Sequence, residues 1–176
     1  GRQEMISAAQ LLAIMPHAAT PQTYAPLLAD AMDRFRINTP QRVAMFVAQI
    51  AHESGELRYV RELASGTAYE GRLDLGNDHP GDGVLYKGRG LIQITGKANY
   101  RRCGEGLGLP LVARPELLEV PQNAAASAAW FWFDRTLNRY ADTDYFGACT
   151  QSINGRFNGL DARIGYWLRA RKVLGL

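Results

Sequence analysis

A chain of 176 residues fits one domain and is long enough to bury a sizeable core. With 47% hydrophobic and 21% charged residues it is not a disordered chain, and without a run of about 18 apolar residues no stable membrane insertion is expected. A formal charge of +3 and a pI near 9.0 fall short of the concentrated basic face of a dedicated nucleic-acid binder, so no nucleic-acid partner is expected.

In chain order, residues 1–4 precede Met5 and read as an expression remnant, and the start lacks the charged-then-apolar pattern of a secretory signal. Ser7 is a candidate N-cap for a short helix to Met15, closed by Pro16. A second helix is predicted from Pro21 to about Ile37. For the third, Thr39 is the N-cap and Pro40 takes the first helical position. Val43, Phe46, Val47 and Ile50 then recur at i, i+3, i+4 and i+7, an apolar stripe facing a core. Continued at about 100° per residue, the helix puts Glu53 beside Phe46 at the edge of that stripe, and Gly55 marks a bend.

Glycine and proline cluster between residues 64 and 116, and 64–90 reads as loop. Gly90 to Thr95 predicts a short strand whose period of two sends Ile92 and Ile94 one way and Gln93 and Thr95 the other. A helix begins near Lys97. Pro121 opens a helix through about Asn138, apolar on every side from Ala124 to Phe133, hence central and buried. Another helix covers roughly Asp142 to Ile153. The last runs from Leu160 to about Val173 with Leu160, Ile164, Trp167 and Leu168 on one face. Arg163 shares that face, where a buried carboxylate would be its natural partner. The expected fold class is mainly α, a helical domain with a small β element and a cleft. Cys103 and Cys149 form no CxxC or Cys/His cluster, and two free thiols are expected.

The segment His52-Glu53-Ser54-Gly55-Glu56 fails as a zinc motif, because the position that needs a second His holds Glu56. Neither a phosphate-binding loop nor a Gly-x-Ser-x-Gly elbow is present. Carboxylate chemistry remains: glycoside cleavage needs one protonated acid and usually a second carboxylate. Glu53 fits the acid, since desolvation beside an apolar surface keeps a carboxyl protonated; the bland alternative is a helix-end glutamate in solvent. Glu62 would lie on the opposite side of an unbroken helix and converges only if the chain bends at Gly55. Glu70 is its rival and Glu56 the weakest candidate; spacing leaves the choice open. Gln93 and Thr95, followed by Asn99 and Tyr100, offer groups suited to sugar hydroxyls and an attacking water, or else a plain polar surface. For the Asn and Gly residues of 153–159, turn geometry is the default role in a run of this kind.

Four segments in order carry a resemblance to the family-19 glycoside hydrolases, which include plant and bacterial chitinases and phage endolysins. They are Phe46-Val47-Ala48-Gln49-Ile50-Ala51-His52-Glu53-Ser54-Gly55, then Tyr86-Lys87-Gly88-Arg89-Gly90-Leu91-Ile92-Gln93-Ile94-Thr95-Gly96, Asn99-Tyr100, and Ile153-Asn154-Gly155-Arg156-Phe157-Asn158-Gly159 with Arg163. The resemblance runs from about residue 40 to 170 and implies a lysozyme-like fold, with residues 1–176 expected as one catalytic domain. It implies Glu53 as general acid, a second carboxylate that activates water for inverting hydrolysis, and Thr95 helping to hold that water. It places Gln93, Asn99 and Asn154 in the substrate cleft, beside which Tyr100 is a further substrate-binding candidate, and makes Arg163 an arginine that organises the carboxylates. Residues 58–63 look more like the phage endolysin arrangement, which favours Glu62 over Glu70. Arg156 stands where many members have Gly, a change expected to alter the cleft wall.

The resulting expectation is an endolysin-like muramidase cutting the β-1,4 bond between N-acetylmuramic acid and N-acetylglucosamine in peptidoglycan. The alternatives are a chitinase, a lytic transglycosylase and a non-catalytic glycan-binding module. The enzyme is expected to be a monomer with no metal or organic cofactor, made in a host cytoplasm and acting on the cell wall.

Overall fold

The computed structural model describes residues 5–176, so the remnant expected at residues 1–4 lies outside them. Helix α1 (Ala8–Ile14) starts with a reciprocal cap: the Ser7 hydroxyl accepts from Gln10 N at 3.1 Å while Gln10 Oε1 accepts from Ser7 N at 2.8 Å. Helix α2 (Pro21–Arg34) stops three residues short of Ile37. Arg36 takes φ +60°, and Ile37 N donates back to Met32 O at 2.9 Å, a left-handed close that tucks Ile37 into the core.

Helix α3 (Pro40–Glu53) begins as predicted, with Thr39 Oγ1 accepting from Arg42 N at 3.2 Å and Pro40 at the first position. Its expected stripe is broader in fact: every residue from Val43 to Ala51 is buried. The 64–90 stretch expected as loop contains the short α4 (Asp82–Leu85), and α5 (Lys97–Leu107) follows the 90–95 turn. Helix α6 (Pro121–Asp134) is enclosed over most of its length but ends before Asn138, with Phe133 half exposed. The helix expected over 142–153 is α8 (Phe146–Asn154), which starts four residues late; a short α7 (Asn138–Asp142), not expected, precedes it, with Asp144 at φ +57° between them. Helix α9 (Leu160–Val173) keeps its predicted bounds, but its inner face carries Arg163 and Ala170, and Leu168 points outward. The main packings are α3 on α9 and α2 on α6.

Gly90 to Thr95 is a tight turn and not a strand. Arg89 and Ile94 exchange both backbone hydrogen bonds, N to O at 3.1 and 2.8 Å, and the β element among the described residues is this bridge plus Arg61–Arg89. Gly90 forces the reversal: its φ is +101°, and a Cβ there would lie 2.6 Å from Ser127 Oγ of α6. The predicted sidedness survives without the strand, because Ile92 and Ile94 are buried while Gln93 and Thr95 stay partly open.

Cys103 and Cys149 are free and buried, and burial pushes each thiol up to about 12, so both are neutral. No helix of the described residues is long and apolar enough to cross a membrane.

Candidate active site

A cleft of about 470 Å³ opens between the C-terminal ends of α3, α6 and α8 and the 90–95 turn. Glu53, the last residue of α3, lines it. Its Oε1 is buried 2.7 Å from Arg163 Nη2, a charge contact without hydrogen-bond alignment, which leaves Oε2 as the oxygen free to face the cleft.

Arg163 is 1% exposed against 21% for Glu53, so it reaches the cleft only through that glutamate. Its Nη1 donates to Gln49 Oε1 at 2.7 Å and its Nε to Asn158 O at 3.0 Å. Gln49 Nε2 donates in turn to Thr150 Oγ1 at 3.0 Å. The polar chain thus crosses α8, α3 and α9 through the core and ends on Glu53. At 1% exposure Arg163 cannot touch substrate directly, so it is a positioning residue that acts through Glu53. Gln49 and Thr150 escaped the sequence reading. The available signal was a polar residue in the enclosed run of α3, one turn before Glu53.

His52 packs its ring against Gly159. Burial foremost, then Arg163, lower its pKa from 6.5, with Glu53 opposing. The unfolded chain therefore takes up the extra proton first, so the stability from neutral His52 is complete above pH 6.5 and is lost as the pH falls below it. The melting temperature is expected to decline on acidification from about pH 7 to about pH 5, and to decline less in His52→Asn. Parallel curves for the two proteins would remove His52 from that account.

Gly55, Glu56 and Leu57 all take left-handed backbone, φ +58°, +60° and +69°, and turn the chain back sharply after α3. Glu62 then pairs with the loop ahead of the turn. Its N donates to Gly88 O at 2.9 Å, its Oε1 accepts from Gly88 N at 2.6 Å, and its Oε2 accepts from Tyr69 Oη at 3.1 Å. Tyr69 lines the cleft, so Glu62 stands directly behind the wall. Burial and then Glu62 raise the Tyr69 pKa, which keeps the hydroxyl a donor.

Glu70 instead accepts from Gly81 N at 3.0 Å and Gly83 N at 3.4 Å beside a separate hollow. Glu56 Oε1 accepts from His17 N at 3.2 Å, tying down the N-terminal segment.

Gln93, Thr95, Asn99 and Asn154 all line the cleft with Glu53. Asn99 Nδ2 donates to Thr95 O at 2.8 Å, and Asn154 Oδ1 accepts from Asn158 N at 3.3 Å. Tyr100 does not join them. It is fully buried, donating to Lys87 O and accepting from Arg89 Nη1 at 3.1 Å, while Arg89 pairs with Glu119 at 2.9 Å. Arg156 is exposed and outside the cleft lining. The sequence reading also missed the wall supplied by the end of α6: Trp130, Phe131, Asp134 and Arg135.

Asp78, His79 and Asp82 lie close enough together to suggest a cation, but Lys97 Nζ already sits 3.2 Å from Asp78 and 3.5 Å from Asp82. Hydrogen bonds from His79 and Lys97 hold Asp78 down to about 2. This cluster lies outside the cleft lining.

The family model described as chitinase class I, of the family-19 glycoside hydrolases, matches residues 28–159. An endochitinase of Arabidopsis thaliana is 37% identical over 84% of the chain, and the chain spans only 53% of its length. A glycosyl hydrolase family 19 domain-containing protein of Haemophilus influenzae is 33% identical, with 90% of this chain and 92% of that one covered. Among solved structures, chitinase C of Streptomyces griseus superposes with a TM-score of 0.82 at 25% identity, covering 99% of this chain and 95% of its own. The class IV chitinase of Zea mays shares the fold, with a TM-score of 0.80 at 24% identity over 99% of this chain and 94% of its own. The chain spans about half the length of the plant endochitinases it matches. On the family match and the relatives together, this mainly helical chain belongs to the family-19 glycoside hydrolases, enzymes that hydrolyse O-glycosyl bonds.

Proposed function

We propose that the cleft hydrolyses β-1,4 bonds in glycans containing N-acetylglucosamine, by single displacement with Glu53 as general acid. The observation that carries this reading is the pair at its floor: a cleft-facing carboxylate seated on a buried arginine that is itself tied to Gln49 and Asn158. A module that only binds sugars has no need of a desolvated ion pair, which costs stability unless it serves another purpose. Glu53 gives its proton to the leaving glycosidic oxygen. We assign Glu62, which meets the cleft wall through the hydrogen bond it accepts from Tyr69 Oη, as the base for the attacking water, with Thr95 helping to hold that water, and the product anomer is inverted. The names of the plant and Streptomyces relatives support a chitin-type substrate. Peptidoglycan is the second reading, favoured by Arg135, a cleft cation with no carboxylate within ion-pair distance among the described residues.

The test is digestion of a chitin hexamer and of purified peptidoglycan, with products reduced and weighed by mass spectrometry. Reducing glucosamine ends from the hexamer support the chitinase reading, and reducing muramic acid ends support the muramidase. Anhydro ends would replace hydrolysis by transglycosylation, and intact glycans in both digests would sink the proposal. For the second carboxylate, Glu62→Gln is expected to lower turnover on the order of 10²-fold or more, with Glu70→Gln within about threefold of wild type. The reverse order would transfer the role to Glu70.

A further inference from the structure

The charges lining the cleft pair off with one exception. Glu53 is matched by Arg163, and Asp134 accepts from Arg102 Nη2 with both oxygens at 2.8 Å. Arg135 has no carboxylate within ion-pair distance among the described residues. Its Nη1 donates to Ser152 O at 3.0 Å, and its guanidinium lies 4.4 Å from the centre of the Phe131 ring. Nε and Nη2 have no protein partner among the described residues, although the side chain lines the cleft.

One hydrogen bond and a stacked stem would suffice to tie the end of α6 to α8. A planar cation with two free donors is more than that tie requires. Arg135 is exposed at the cleft edge; burial lowers its pKa from the ordinary value, Asp134 opposes that shift, and Arg102 adds slightly to it. A carboxylate docked on the open edge would meet Nε and Nη2 together, because guanidinium and carboxylate match as parallel forks. A neutral polymer of N-acetylglucosamine offers no such group.

Resting on the cleft assignment above, we infer that Arg135 is an anion subsite that selects glycans bearing carboxylates next to the scissile bond. In peptidoglycan the carboxylate has two sources: the lactyl ether of a muramic acid freed of peptide, or the acidic residues of an attached stem peptide. The subsite recognises the chemistry common to both.

Binding tests this apart from turnover. In a Glu53→Gln background, calorimetry at low salt compares a chitin hexamer, peptide-free peptidoglycan strands and peptide-bearing strands. The acidic strands are expected to bind about tenfold more tightly than the neutral hexamer. Adding Arg135→Met, which keeps an apolar stem on Phe131, should bring that ratio to about one, while Arg135→Lys keeps part of it. Arg163 is present in both backgrounds, so its charge cancels from the comparison. A preference for peptide-free strands assigns the lactyl carboxylate, and one confined to peptide-bearing strands assigns the peptide. Equal affinity for all three glycans, or a preference that survives Arg135→Met in a protein with native circular dichroism, overturns the inference. A preference found alongside a wild type that cleaves none of the glycans would retain the subsite and sink the hydrolase.

Discussion

Glu53→Gln is expected to leave a folded protein whose turnover has fallen on the order of 10²–10⁴-fold. The amide has the shape of the carboxyl and can keep its oxygen in the place where Oε1 lies 2.7 Å from Arg163 Nη2. It has no proton acidic enough for the glycosidic oxygen. Gln49 and Asn158 continue to hold the guanidinium, so the side chain at 53 keeps its direction while its chemistry is lost. Some thermal stability should go as well, because Arg163 keeps its charge in the core and loses the only carboxylate paired with it among the described residues. The rate constant on a chitin hexamer, or on peptidoglycan if that is the glycan cleaved, decides the matter alongside far-ultraviolet circular dichroism. A native spectrum with a rate within about threefold of wild type would remove Glu53 from the mechanism.

The largest loss of stability is expected from Arg163→Met. At 1% exposure, the side chain engages Glu53, Gln49 and the Asn158 carbonyl from inside the α3–α9 packing. Methionine fills much of the volume and satisfies none of these acceptors. It leaves a buried carboxylate oxygen without its counter-charge and a buried amide oxygen without its donor, the situation in which breaking an internal ion pair costs about 3–5 kcal/mol. Urea unfolding of the single variants and of Glu53→Gln with Arg163→Met measures the coupling. The double variant should be less unstable than the sum of the two singles, since the glutamine has no charge to strand. A loss under about 1 kcal/mol in Arg163→Met would mean that the contact with Glu53 is incidental.

The starts of helices were more legible in this chain than their ends. Ser7 and Thr39 cap with their own hydroxyls, and Pro40 suits a first turn, so side-chain chemistry announces where α1 and α3 begin. Gly55 announced the end of α3 in the same way. The ends of α2, α6 and α7 did not show, because their left-handed closing residues are Arg36, Thr136 and Asp144 and not glycine. In α2 and α6 the cost of that backbone is offset by the next residue along, Ile37 or Leu137, each fully buried by the reversal. Such an exchange depends on a core that local sequence does not describe. Gly90 to Thr95 misled for a related reason. Alternation of apolar and polar residues suits a strand and equally a turn seated on α6, and only the proximity of Ser127 to Gly90 selects the turn.

By itself the sequence determined the mainly helical class, the apolar edge on which Glu53 stands, and the need of Arg163 for a buried partner. These come from periodicity and from the cost of burying a charge, both of which act within a single helix. The tertiary structure decided which carboxylate Arg163 meets and carried Gln49 and Thr150 into the same network. It set Glu62 behind Tyr69 while engaging Glu70 elsewhere, withdrew Tyr100 into the core, and brought Arg135 to the cleft without a counter-charge among the described residues. Those outcomes depend on distances between elements remote in the chain, set by how α3, α6, α8 and α9 pack, which the spacing of residues along any one helix does not encode.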